Sequence, residues 1–284
     1  MAGPVALDNA AITLDGLRES DRDRYLAVLL SPPEKRASLA ALYHFHAELA
    51  RVRDVVHEPL PGEIRLQYWR DLLEGAGHGS SDANPLAAEL LRTIRDEKLP
   101  IQPLVAMTEA RIFDLYDDPM ENVASFEGYA GETASALIQL ASLVLDPEAA
   151  AAHASVAGHA GVAQSIAGHI LLLPTHRQRG QVYIPSEILK ATGLDRDAFL
   201  EDANRDRTVA AVEAFAGMGL DHLTKAGTSQ IPASVMPAYL PAALARSVLE
   251  KAARRGGFAV DGTLRAPQWR RQLAMTIALW RRRI

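Results

Sequence analysis

Apolar residues recur along this chain three and four positions apart, and almost nowhere in strict alternation. No Asn-Gly or Asp-Gly turn joins two alternating runs, so no tight β-hairpin is predicted. Proline and glycine punctuate the pattern at wide intervals, at Pro32-Pro33, Pro59 to Gly62, Gly75 to Pro85, Pro100, Pro119, Pro147, Pro174 and Pro185. Between them the spacing predicts helices over about 20–30, 33–57, 62–75, 85–96, 101–117, 125–145, 149–173, 186–192, 206–226 and 241–254, with a last one from about 266 to the end. Ser20 to Asp23 reads as a capping box opening the first of them. Residues 1–19 read as a flexible N-terminus, and 227–240 as the loosest connection within one domain spanning 1–284.

Composition sharpens this to an all-α expectation. Aromatic residues make up 6% of the chain, while alanine and leucine abound. A hydrophobic fraction of 48% and a charged fraction of 23% over 284 residues describe a globular chain able to bury a large core. A net charge of −5 supplies no broad basic field, so nucleic acid is not an expected partner. The absence of cysteine removes disulfides, thiolate metal sites and thiol nucleophiles, and fits a reducing compartment. Asp8, Asp15 and Glu19 near the start match neither a secretory signal nor an Arg-rich transit peptide. With the Ala- and Arg-rich usage, this leads to the expectation of a bacterial cytoplasmic protein, in contact with the inner membrane face. The stretch Ala149 to His176 holds no Asp, Glu, Lys or Arg, but its four histidines suit a buried helix rather than a membrane span.

Candidate chemistry concentrates between Ala41 and Trp69. On a helix, His44 and Glu48 share a face, Glu48 can pair with Arg51, and Asp54 points at Ala47 and Ala50. One acid over alanines suits a divalent cation poorly, because such ions take several converging oxygens. The plain reading of this face is a solvated set of intrahelical ion pairs.

RLQYWRDLL (Arg65–Leu73), EARIFDLYDD (Glu109–Asp118), FEGYAGETASALIQLA (Phe126–Ala141) and RGQVYIP (Arg179–Pro185) resemble, in order and spacing, segments of squalene and phytoene synthases. The run around Ala41–Trp69 resembles their first motif region. On these segments, residues 20 to 255 are similar to that family. The resemblance implies a terpenoid-synthase helical bundle around a central cavity, flanked by helices 33–57 and 149–173. Active members ionise allylic diphosphates with magnesium held by two acidic motifs. Matching places the first motif's acids on Ala50, Arg51 and Asp54, and the second's on Leu172 and His176. A family Asn falls on Gly168, and a Ser-Phe pair on Asp23-Arg24. Leu172 offers no ligand atom, and His176 is a poor match to a hard cation.

The resemblance therefore implies a pseudoenzyme with no cofactor. AELA (Ala47–Ala50), RLQYW and Pro174-Thr175-His176 resemble a degenerate branch of the family that includes a mitochondrial complex I assembly factor. That branch implies a role in respiratory complex I assembly with a protein partner, or binding of an isoprenoid or lipid. The alternative is an active head-to-head prenyl transferase acting on farnesyl or geranylgeranyl diphosphate. It would need an atypical Mg2+ site from Asp54, Glu48, Asp114 and Asp118.

Lys35, Arg36, Arg177 and Arg179 are candidate phosphate or headgroup ligands, against ordinary surface charge. Tyr129, Thr133, Ser135 and Gly168 are candidate cavity lining. His153, His159 and His169 lack the i, i+4 spacing of a helical metal site and read as hydrogen-bonded helix residues. Residues 266–284 form a basic amphipathic helix. Trp269 and Trp280 share a face with Leu273 and Ile277, suited to a membrane surface, a partner groove or the core itself. A lipid carrier at the membrane surface is a third expectation.

Overall fold

The computed structural model describes residues 8–56, 58–76 and 84–284, and no strand occurs among them. The expected all-α class holds. The first part of the chain contributes α1 (Asn9–Ser20), α2 (Arg22–Leu29), α3 (Arg36–Ala50), α4 (Val52–Val55), α5 (Pro59–Leu73), α6 (Pro85–Asp96) and α7 (Gln102–Ala110). Next come α8 (Val123–Ala130), α9 (Ala136–Leu145), α10 (Pro147–Ala152), α11 (Ala154–Leu171), α12 (Leu173–Gln178), α13 (Ser186–Ala191) and α14 (Arg196–Leu200). The remainder folds as α15 (Arg205–Ala226), α16 (Met236–Ala243), α17 (Ala245–Arg254), α18 (Gly257–Val260) and α19 (Gln268–Arg281).

Two apolar clusters hold these helices. One joins α1, α3, α6, α9 and α16 around Leu17, Phe45, Leu90 and Tyr239. The other joins α8, α11, α15 and α17 around Phe126, Ile166, Phe215 and Leu249. Helix α3 buries ten of its fifteen residues, so it is apolar nearly all round and lies inside the bundle. Between α11 and the segment Gly131–Ser135 the approach is close enough to require glycine. A Cβ on Gly161 would stand 2.3 Å from the Ser135 Cα.

Several expectations change. Residues 9–19 are not a flexible terminus but part of α1, capped by the Asp8 carboxylate on the Ala10 and Ala11 amides. Its buried face is only Thr13 and Leu17, too sparse a pattern to announce a helix. The helix predicted over 20–30 is capped by Asp21 rather than Ser20: the Asp21 carboxylate accepts from the Asp23 and Arg24 amides, while Ser20 Oγ donates back to the Gly16 carbonyl. The predicted helix 33–57 breaks at Arg51, and 101–117 tightens after Ala110 into a 3-10 turn over Arg111–Leu115. The helix over 125–145 widens at Gly131–Ser135 into one π turn. Such turns are frequent at functional sites. Pro241 lies within α16 instead of opening the next helix. Residues 1–7 and 77–83 and His57, which the predicted boundaries touch, lie outside the described residues.

Candidate functional site

A cavity of about 960 Å3 opens between α3, α11, α12 and the C-terminal segment. Its wall holds a polar network that begins in the 3-10 turn. Three residues per turn bring Arg111 and Asp114 to one side of that turn, and the guanidinium donates to Asp114 Oδ2 at 2.9 Å. Asp114 also accepts from Tyr183 Oη at 2.7 Å and Tyr129 Oη at 2.9 Å. Arg111 donates further to Tyr129 Oη at 2.7 Å and meets His46 Nε2 at 3.1 Å. Arginine can only donate, so His46 Nε2 accepts and its proton sits on Nδ1. That Nδ1 has no partner.

Tyr183 reaches this wall because Gly180, at φ +75°, reverses the chain after α12. Its ring stacks on His169 at 4.0 Å and lies 4.7 Å from His176. Burial lowers the pKa of all three histidines. His46 and His169 fall well below the usual imidazole range, with Arg111 adding to the effect. His176 falls to about 4, with Arg179 acting alongside burial and Asp114 opposing it. Burial first, then the Asp114 charge, raises the Tyr183 hydroxyl far above its ordinary value. The wall is therefore neutral imidazole and phenol around one buried ion pair. Around the whole cavity nine arginine or lysine side chains face five carboxylates, a lining that favours an anion.

The structure brings part of the predicted set together. Asp54, at the first motif's last position, lines the cavity and pairs with Arg179. Gly168 lines it from α11, Leu172 from the junction of α11 and α12, and His176 from α12, with Tyr129 on α8 and Thr133 on the π turn that follows it. Asp114 lines it too, but buried in the network above.

Other candidates sit elsewhere. Glu48 and Arg51 pair with each other outside the lining, and the His44 imidazole 3.7 Å away, then Arg51, hold the Glu48 carboxyl below its ordinary pKa. Asp118 also lies outside the lining. Lys35 pairs with Glu97 at 2.7 Å. Arg36 donates to the Ser31 and Leu29 carbonyls, closing the turn before α3. Arg177 donates to the Leu200 carbonyl and covers the Phe199 ring. These three cations tie the fold together and do not face the cavity. Ser135 turns away to donate to the Gly158 carbonyl at 2.8 Å, because the π turn rotates it toward α11.

Sequence reasoning missed Arg111, His46, His169 and Gln181, whose amide donates to the Asp114 carbonyl. The spacing of Arg111 and Asp114 was the one local signal available. His153 and His159 are hydrogen-bonded as expected, to Ala149 and His222. His169 is not: its Nδ1 has no hydrogen-bond partner.

An all-α bundle around a cavity of this make-up defines a protein class, and comparison identifies it. The squalene/phytoene synthase family model matches residues 17–275, and the chain belongs to that family. It is 30% identical, over 99% of its length and 85% of the relative's, to a Rattus norvegicus protein named NADH dehydrogenase (ubiquinone) complex I, assembly factor 6. A Bos taurus protein of the same name is 31% identical over 95% of this chain and 81% of its own. The crystal structure of squalene synthase HpnC from Alicyclobacillus acidocaldarius superposes with a TM-score of 0.71 at 17% identity, covering 88% of this chain and 94% of that one. These animal relatives overturn the expected bacterial cytoplasmic location, which rested on residue usage and on the acidic start of the sequence.

Proposed function

We propose that this chain is a non-catalytic member of its family that serves the assembly of NADH dehydrogenase (ubiquinone) complex I through a protein partner, its cavity kept for an isoprenoid or other anionic lipid. The observation that carries this reading is near-full-length similarity to relatives named for complex I assembly.

Donor chemistry supports it. Magnesium wants near-octahedral oxygen ligands. Among the described residues no three His, Asp or Glu side chains converge as a metal site would require. The two cavity acids nearest the motif positions are already engaged, Asp54 by Arg179 and Asp114 by Arg111, Tyr129 and Tyr183. This donor set does not fit a divalent cation.

Two measurements test the reading. Deleting the gene in its native host should lower assembled complex I on native gels and the NADH:ubiquinone activity, and an Asp54→Ala copy should restore both. Purified protein given farnesyl or geranylgeranyl diphosphate with Mg2+ should release no diphosphate. Magnesium-dependent release, lost in Asp54→Ala, would establish the transferase instead.

A further inference from the structure

The C-terminal helix is amphipathic, but it turns the wrong way for a helix that merely closes the bundle. It packs on α16 and α2 through Met275 and Ala278, which are buried, and through Arg271, which pairs with Asp23. The larger apolar side chains face outward. Trp269 is 60% exposed, Leu273 52%, Ile277 41% and Trp280 81%. At 100° per residue these four fall within an arc of about 80°, one continuous stripe. Burial would have been favourable by roughly 1.5–3 kcal/mol for each such side chain. The chain instead turns Met275, Ala278 and part of Leu279 to the core.

Charge selects the occupant of that stripe. From Gly262 to Ile284 the sequence holds six arginines and no acid, in a chain whose net charge is −5. Arg265, Arg270, Arg281, Arg282 and Arg283 are all exposed. Arg270 lies over the Trp269 ring at 5.1 Å, so cation and indole present themselves together. Indole prefers the polar–apolar boundary of a bilayer, and guanidinium binds phosphate. Among the described residues no helix is long and apolar enough to cross a membrane, so the geometry is that of a helix lying on one.

We infer that α19 docks this protein on an anionic lipid bilayer, with Trp269, Leu273, Ile277 and Trp280 inserted at the headgroup boundary and the flanking arginines on lipid phosphates. The same segment lends Arg265, Arg270 and Arg271 to the cavity lining, so docking sets the cavity rim beside the headgroups. The inference is independent of the role in complex I assembly, and its test reads lipid alone.

The full chain is mixed with phosphatidylcholine vesicles, with or without phosphatidylglycerol, at low and high salt. It should sediment with the phosphatidylglycerol vesicles only, and salt should release it. Trp69 is buried, so a blue shift of tryptophan emission on binding reports Trp269 and Trp280. Trp269→Ser with Trp280→Ser should abolish the shift and the sedimentation at an unchanged melting temperature. Arg281→Gln, Arg282→Gln and Arg283→Gln together should weaken binding on the order of a hundredfold, at about 1 kcal/mol per charge. Three results would overturn the proposal: no partition of the wild type, equal partition of the tryptophan variant, or a self-associated dimer that ignores vesicles and dissociates in that variant.

Discussion

Two carboxylates in the cavity wall look alike in sequence and differ sharply in setting. Asp54 and Arg179 are 47% and 38% exposed, so water screens their pair. Asp114 and Arg111 are 9% and 11% exposed, and the carboxylate also carries two tyrosine hydroxyls. An exposed pair contributes about 0–1 kcal/mol, whereas removing one partner of a buried pair costs about 3–5 kcal/mol by stranding the other charge. Asp54→Ala should therefore shift the urea midpoint little, and Asp114→Ala should lower it strongly. Equal shifts in denaturant unfolding would contradict this assignment. Asp114 was legible because it stands in a recognisable segment. Not all of its network was, since His46 and Arg111 lie 65 residues apart and only the fold makes them neighbours.

At the scale of elements, legibility followed capping and amphipathicity. The helices predicted over 85–96 and 206–226 appear at Pro85–Asp96 and Arg205–Ala226, each opened by an asparagine cap at Asn84 and Asn204. Helix α1 offers two buried residues, and α14 and α18 are five and four residues long, too short for a period to show. The π turn was also hidden, because a widened turn keeps helical composition and changes only what faces α11. Gly161 and Gly158, three residues apart on α11, test that close packing. At Gly158 a Cβ meets nothing within 4 Å, so Gly158→Ala should stabilise by about 0.4–1 kcal/mol. At Gly161 it would strike the Ser135 backbone, so Gly161→Ala should cost about 1–3 kcal/mol through overpacking. Thermal melts of the two variants should move in opposite directions. Parallel shifts would mean that the contact at Ser135 yields freely.

The molecule as a whole carries one buried and two half-buried neutral histidines on one cavity, and this sets how it answers acid. His46 faces Arg24 and Arg111, His169 faces His176 and Arg111, and His176 faces Arg179 with Asp114 and Asp54 opposing. In the unfolded chain each would titrate near the usual imidazole value of about 6.5. In the folded chain each is held lower, His176 at about 4. Between these values the unfolded state binds more protons, so stability is fully present above pH ~6.5 and falls as pH drops toward 4. At 1.36 kcal/mol per pKa unit, His176 alone accounts for a loss on the order of 3 kcal/mol, reduced because part of its ring meets the water of the cavity. Measured from pH 7 to 5, above the range where ordinary carboxylates protonate, the melting temperature should fall steadily. His176→Gln should flatten that fall without removing it, since His46 and His169 still titrate. A variant whose melting temperature declines in parallel with the wild type would show that His176 is not held neutral by this wall. An anion bound among the nine cavity cations should also raise the melting temperature, and more so as pH falls toward 4, where His176 takes up its proton. Titrating inorganic diphosphate at two pH values therefore reads the charge of the cavity and the state of its histidines in one experiment.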